Sequence, residues 1–364
     1  MELRLFTIGD STDRNVNSGT PHQLYQALLK QHPNIACVDV SLNKFQKVLN
    51  LAHSFHPKLQ TWQEKSRKNQ FVYNEMSKNA FRGTKKLSNP DYFLQFQTLF
   101  SMPDSNIPFG IYTDYTSALA EKEFPDWLPF PNKKQMSKWL IAEQENYHRA
   151  AHIFTFTERV RQSVIKDFWV DPDKVYTVGA GCKFKIHSDS QRKERPVRNF
   201  LFIGKEPYRK GLDLLLIAFK FLQKKYPDIS LTVVGTKINR KYRNLHNFPK
   251  INNHDYLHQI IKKSDVFVMP SRGEPFGYVY LEAMAHGIPC IGANVGGVSE
   301  VINDKTTGFL IEKENIQELI YKMEKLIIDP DLSHQMGING QLRLKHKYRW
   351  SDTATAMLTQ ISHT

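Results

Sequence analysis

Residues Ser271 to Ile302 read S-R-G-E-P-F-G-Y-V-Y-L-E-A-M-A-H-G-I-P-C-I-G-A-N-V-G-G-V-S-E-V-I, and the apolar run D-V-F-V-M-P of Asp265 to Pro270 leads into them. A short apolar run bounded by turn residues predicts a buried strand. It empties into a Gly/Pro loop with one carboxylate, Glu274, and the loop opens into a helix that carries a second, Glu282. A helix start leaves its first N–H groups without intrahelical partners, and its dipole attracts anions. Gly277 lets backbone approach a ligand closely, and Pro275 stiffens the approach. Such a loop suits a phosphorylated ligand whose hydroxyl-bearing ends are held by the two carboxylates. A nucleotide sugar, with its ribose, pyrophosphate and hexose, has that shape. The bland alternative is an ordinary tight turn followed by a solvated glutamate.

The rest of the chain sets the frame. At 364 residues it exceeds one average core and predicts two domains. No apolar run approaches membrane-spanning length, and the opening M-E-L-R-L-F-T-I-G reads as a strand rather than a signal peptide. Three cysteines, Cys37, Cys182 and Cys290, lie far apart without disulfide or zinc spacing, so a reduced, cytoplasmic location is expected. A formal charge of +14 calls for an anionic partner: a nucleoside diphosphate, anionic lipid or nucleic acid.

Short β-branched runs alternate with longer helical patterns, the signature of βαβ units and parallel sheets. Strands are predicted at 3–9, 35–41, 110–115, 152–157 and 174–178, then at 199–204, 229–235, 265–270, 289–294 and 308–311. The polar stretch 183–198 between the two sets reads as a linker. The fold class expected is α/β, with two doubly wound Rossmann-like domains facing across a cleft. Open α/β sheets bind ligands at the carboxyl ends of their strands. At such an edge, F-L-F-I-G-K-E-P-Y-R-K-G (200–211) places Lys205 and Lys210 where they can neutralise a departing pyrophosphate. Arg209 is set aside as pointing away. In the first half, Ser18 or Thr20 is the expected cap of a helix that has Pro21 in its first turn.

Glu274 and Glu282 stand at the spacing of the E-x7-E signature, and the segment resembles the retaining glycosyltransferases of family 4, which have the GT-B fold. The match runs on through G-I-P-C-I (287–291) and G-G-V-S-E-V-I (296–302). The resemblance implies an N-terminal acceptor-side domain over 1–182, in which the residues themselves show a basic and aromatic insertion at about 43–100. It further implies a donor-binding domain over 199–349 and a last helix, 350–364, crossing back to the first. It implies a retaining hexosyltransferase that uses a UDP- or GDP-linked sugar and needs no metal or other cofactor. Glu274 would hold donor hexose hydroxyls and Glu282 the ribose. The backbone of Phe276, Gly277, Tyr278 and Val279, with Lys205 and Lys210, would hold the pyrophosphate. Gly19 would approach the donor phosphate from the other domain, and Asp114 would contact the hexose. Gly19 stands alone where the family often has a glycine pair. Asp171-Pro172-Asp173 mimics a metal-binding D-x-D but reads as a turn, so no metal site is expected.

Between Lys44 and Lys86 there are ten Lys or Arg and two acidic residues, interleaved with Phe45, Phe55, Trp62, Phe71, Tyr73 and Phe81. A sugar, glycan or glycolipid acceptor is expected, anionic or lipid-linked, with peripheral contact at the inner face of an anionic membrane. The alternative is a solubilising face over a helical insertion whose aromatics are core. A sugar-nucleotide hydrolase or epimerase would carry the same donor motifs. A nucleic-acid-binding protein would explain the charge, but no helix-turn-helix, RRM-like or zinc pattern supports it, so no nucleic acid is expected.

Overall fold

A computed structural model describes the chain except for residues 15–18, 86–89, 129, 131, 185–194, 252 and 364. Two compact units emerge: Met1–Gly181 with Trp350–Thr364, and Cys182–Arg349. Most of the linker expected over 183–198 lies outside the described residues, as does Ser18.

The first unit runs β1 (Leu3–Thr7), α1 (Thr20–Gln31), β2 (Ile35–Asp39), α2 (Lys44–His53), α3 (Leu59–Arg67), α4 (Gln70–Thr84), β3 (Tyr92–Phe96), β4 (Phe109–Thr113), α5 (Ser117–Glu123), α6 (Lys133–Arg149), β5 (His152–Thr155), α7 (Glu158–Asp167) and β6 (Val175–Thr177). Its strands form one sheet in the order β2-β1-β3-β4-β5-β6, and every pairing is parallel. The strand β3 lies inside the insertion expected at about 43–100, outside the strands predicted from the sequence. It is a wholly buried central strand, and its Gln95 is the reason it escapes an apolar pattern: the buried amide donates to the carbonyls of Gln97 and Phe100. The helix α1 is capped by Gly19 with a left-handed backbone and no side-chain hydrogen bond, and Thr20 is already helical.

The second unit runs β7 (Asn199–Ile203), α8 (Leu212–Lys225), β8 (Ser230–Val234), β9 (Leu245–Phe248), α9 (His254–Lys263), β10 (Val266–Met269), α10 (Tyr278–Ala285), β11 (Cys290–Ala293), α11 (Val298–Val301), β12 (Gly308–Ile311), α12 (Ile316–Ile328) and α13 (Pro330–Lys347). Its sheet has the order β12-β11-β10-β7-β8-β9, again all parallel. The edge strand β9, L-H-N-F, half polar, carried no strand signal. The central strands are mostly apolar, as expected where a parallel sheet is covered on both faces; Val266 to Met269 of β10 are completely buried. The last helix, α14 (Trp350–Ile361), belongs to the first unit. It lies along α1, where Gln31 donates to the Ser351 carbonyl and accepts from the Thr355 hydroxyl. No helix among the described residues is long and apolar enough to cross a membrane.

Asp265, at the foot of β10, joins the two middle strands of the second sheet. One carboxylate oxygen accepts the N–H groups of Arg198 (2.9 Å) and Asn199 (2.8 Å), and the other accepts from Arg195 (2.7 Å). Asp265 is 3% exposed, so its carboxylate has these donors rather than water for partners. Replacing Asp265 by Ala should therefore cost roughly 2–4 kcal/mol. Urea unfolding followed by far-UV circular dichroism measures this; a change below about 0.5 kcal/mol would exclude the role.

Candidate functional site

In the second sheet the chain winds one way from β7 through β8 and β9, then the other way from β10 through β11 and β12. The strand order therefore switches between β7 and β10, and a crevice opens at the carboxyl ends of such a pair. The loop after β7 carries Lys205 and Lys210; the loop after β10 carries Glu274. Lys210 and Glu274 meet there as a hydrogen-bonded ion pair, with side chains 12% and 8% exposed. Lys205 is exposed. Of the two lysines, only Lys210 is brought to the carboxylate.

The Glu274 loop is held from three sides. Residues 271–277 are all buried, which a loop tolerates only if its backbone polar groups are bonded. Beneath it, the guanidinium of Arg272 donates twice to Asp213, at 2.8 Å each, and also to Glu314 and the Tyr208 carbonyl. Its plane lies 4.0 Å from the Tyr208 ring centroid. Desolvation works to raise the Asp213 carboxyl, but the hydrogen bonds and charge of Arg272 outweigh it and hold that group below its ordinary range. Arg209, set aside in the sequence reading, turns inward instead: its side chain is 11% exposed and donates to the Gly273 carbonyl at 2.8 Å. The Gly273 oxygen gives this guanidinium a partner that solvent exposure would not.

Behind the loop stand Gly296 and Gly297. The Gly297 N–H donates to the carbonyls of Glu274 and Pro275, at 3.2 and 3.0 Å. Gly296 has φ 51°, and a Cβ there would sit 1.9 Å from the Glu274 carbonyl oxygen. The downstream glycine pair of the sequence is thus the rear wall of the loop.

Gly277 begins α10 with φ 96°, and a Cβ there would run into the Tyr280 ring at 2.6 Å. Phe276 is buried, with its ring edge-on to Tyr278 at 5.0 Å. Tyr278 and Val279 form the first turn of the helix. Glu282, further along α10, is partly exposed. Desolvation pushes its carboxyl up, and the Lys183 ammonium opposes the shift. Lys183 also lies over the Tyr278 ring, 5.1 Å from its centroid, and was not singled out in the sequence.

The other two candidates, Gly19 and Asp114, belong to the first unit. Asp114 follows β4, and the cap of α5 is Thr116, whose hydroxyl accepts from Leu119. Capping therefore does not account for Asp114. Its carboxylate accepts from Gln97 at 3.0 Å, and Gln97 itself has a left-handed backbone, φ 64°, just past β3. Nearby, burial pushes the Lys68 ammonium down while Glu143 and Asp114 oppose the shift. Glu143 is 1% exposed and accepts from Thr98, Tyr147 and the Ser117 N–H, and burial pushes its carboxyl up. A signal for Glu143 was present, because it falls on the buried stripe Met136, Trp139, Glu143, Tyr147 of α6.

Asp171-Pro172-Asp173 is a short turn in which the Asp171 side chain accepts the Asp173 N–H. No group of three or more His, Cys, Asp or Glu side chains among the described residues could hold a metal ion.

Residues 183–343 match the family model described as Glycosyl transferases group 1. The D-inositol 3-phosphate glycosyltransferase of Paenarthrobacter aurescens is 30% identical over 240 residues, 59% of this chain and 58% of that protein. The capsular polysaccharide biosynthesis glycosyltransferase CapM of Staphylococcus aureus is 26% identical over 228 residues, 55% and 58% of the two chains. The matched stretch thus spans 58% of the length of each relative. Among solved structures, sucrose-phosphate synthase from Thermosynechococcus elongatus superposes with a TM-score of 0.71 at 16% identity, covering 100% of this chain and 98% of that one. WaaG, a glycosyltransferase involved in lipopolysaccharide biosynthesis, gives 0.70 at 14%, covering 97% and 98%. The fold is GT-B.

The rear wall yields a prediction. Gly296→Ala should destabilise the second unit by roughly 2 kcal/mol or more, because its backbone is left-handed and the Glu274 carbonyl cannot retreat. Thermal unfolding of the variant tests this, and an unchanged midpoint would show that the loop is not braced there.

Proposed function

We propose that the chain is a retaining hexosyltransferase whose donor, a nucleoside diphosphate sugar, binds along the Glu274 loop and the start of α10. The observation that carries this reading is the Lys210–Glu274 pair at the switch between β7 and β10. An ammonium and a carboxylate side by side match the two ends of the bond to be broken: diphosphate on one side, hexose hydroxyls on the other.

In this reading Lys210, with Lys205 and the first turn of α10, takes the diphosphate, and Glu274 accepts hydrogen bonds from the hexose. Glu282 takes the ribose hydroxyls, with Lys183 beside it. Asp114 and Gly19 are proposed as the first unit's contributions, to the hexose and to the donor phosphate. As the anomeric C–O bond to the diphosphate breaks, negative charge grows on the leaving oxygen, where fixed cations stabilise it. The acceptor hydroxyl forms its bond on the same face, and its proton passes to the leaving phosphate oxygen. Because the new bond forms on the face that the diphosphate leaves, configuration is retained without attack by an enzyme carboxylate. Positioning and charge stabilisation supply the acceleration. No metal is assigned a part.

The test is release of nucleoside diphosphate from a panel of UDP- and GDP-sugars, with sugar and glycolipid acceptors added or withheld. One donor should be consumed, and only when an acceptor is present. Glu274→Ala and Lys210→Ala should each lower turnover by about a hundredfold or more with circular dichroism unchanged. Near-wild-type turnover by either variant removes that residue from the mechanism. Release without any acceptor would point to a hydrolase.

A further inference from the structure

The helix α2 is built inside out. Gln46, Asn50 and Ser54, one turn apart, are its buried side chains, and each is bonded. The Gln46 amide donates to Glu75 at 2.7 Å, and the Asn50 amide donates to the Ser66 carbonyl at 2.7 Å. Asn69 donates to Asn50, and the Ser54 hydroxyl donates to the Asn50 carbonyl. A capping box between Asn43 and Gln46 fixes the helix start. The polar face is therefore spent on fastening α2 to α3 and α4.

Its apolar side chains are left to solvent. Phe45 is 71% exposed, Val48 64%, Leu49 42% and Leu51 44%, and beyond the helix Phe55 is 67% and Leu59 63% exposed. A surface helix normally turns such residues to the core. A cluster of this kind on a soluble surface marks something that covers it. The aromatics of the sequence thus divide: Tyr73 is core, and Phe45 and Phe55 are not.

Charge identifies the cover. Lys44, Lys47 and Lys58 are exposed around the apolar side chains. From residue 40 to residue 63 the chain has no Asp or Glu. A second copy of the chain docked on this face would set lysines against lysines with no carboxylate to answer them. An apolar helix face edged by cations fits the boundary between headgroups and acyl chains of an anionic bilayer. We propose that residues 44–59 seat this protein on an anionic lipid bilayer, with Phe45, Val48, Leu49 and Phe55 entering the acyl boundary and Lys44, Lys47 and Lys58 meeting the headgroups. The surface stands on the geometry of α2. Its consequence, an acceptor presented from that bilayer, rests on the transferase reading above.

Sedimentation of the full chain with vesicles tests the surface. Phosphatidylcholine vesicles that contain phosphatidylglycerol should carry the protein down, and vesicles of phosphatidylcholine alone should not. Added salt should weaken the binding. Phe45→Ser/Leu49→Gln and Lys44→Glu/Lys47→Glu should each lower affinity by at least about tenfold. The four positions are exposed, so thermal midpoints should stay put. Absent binding, equal binding to both vesicle types, or undiminished binding by both variants would overturn the proposal. So would a solution dimer that dissociates in Phe45→Ser/Leu49→Gln, since the face would then belong to a second copy. Nucleoside diphosphate binding should be the same in both variants and the parent, so failure of the surface and failure of the donor site are separately visible.

Discussion

Lys210 and Glu274 are 64 residues apart in sequence, and their ion pair joins the loops that follow β7 and β10. Burying either charge alone would be costly, so each supports the other at the crevice. Two loops from neighbouring strands must therefore be held in register to the accuracy of a hydrogen bond. The switch in strand order between β7 and β10 supplies the geometry, because it sends the two following connections to opposite faces of the sheet and leaves the crevice between them open.

Much of the surrounding structure serves that register. Arg272 fixes the start of the Glu274 loop to α8 through Asp213 and to the α12 side through Glu314. Arg209 ties the Lys210 loop to the Gly273 carbonyl. Gly297 and Gly296 close the rear, and Asp265 aligns the strands at their other end. A guanidinium suits the Arg272 position because its fork serves two carboxylates and a carbonyl at once, which an ammonium could not do in plane. The loop that carries Glu274 is consequently held by bonds from several neighbours, as a site that works by positioning needs to be.

The strand, loop and helix start around Glu274 were legible in sequence because they are local: strand, loop, Glu274, helix start and Glu282 follow one another without interruption. The two doubly wound sheets were legible too, from apolar runs alternating with helical patterns. What was hidden depends on distant partners. Arg272 is an unremarkable residue until Asp213 and Glu314 stand around it, and Arg209 was misjudged because the Gly273 carbonyl is invisible in a string of letters. The strand β3 escaped through its buried Gln95, and β9 through its polar edge position. In α2 the periodicity itself misleads, since Gln46 and Asn50 find bonds inside while Phe45 and Val48 remain outside.

The proposal that the crevice at Lys210 and Glu274 binds a nucleoside diphosphate sugar is open to direct test. Thermal unfolding of the pure protein against UDP-, GDP- and ADP-sugars and the bare diphosphates, with and without magnesium, addresses it most directly. A ligand that binds only the folded state adds about 2.7 kcal/mol at a hundredfold excess over its dissociation constant. The account predicts that one base stands out, with and without the metal, and that its bare diphosphate also raises the midpoint. A flat panel in both buffers would contradict it.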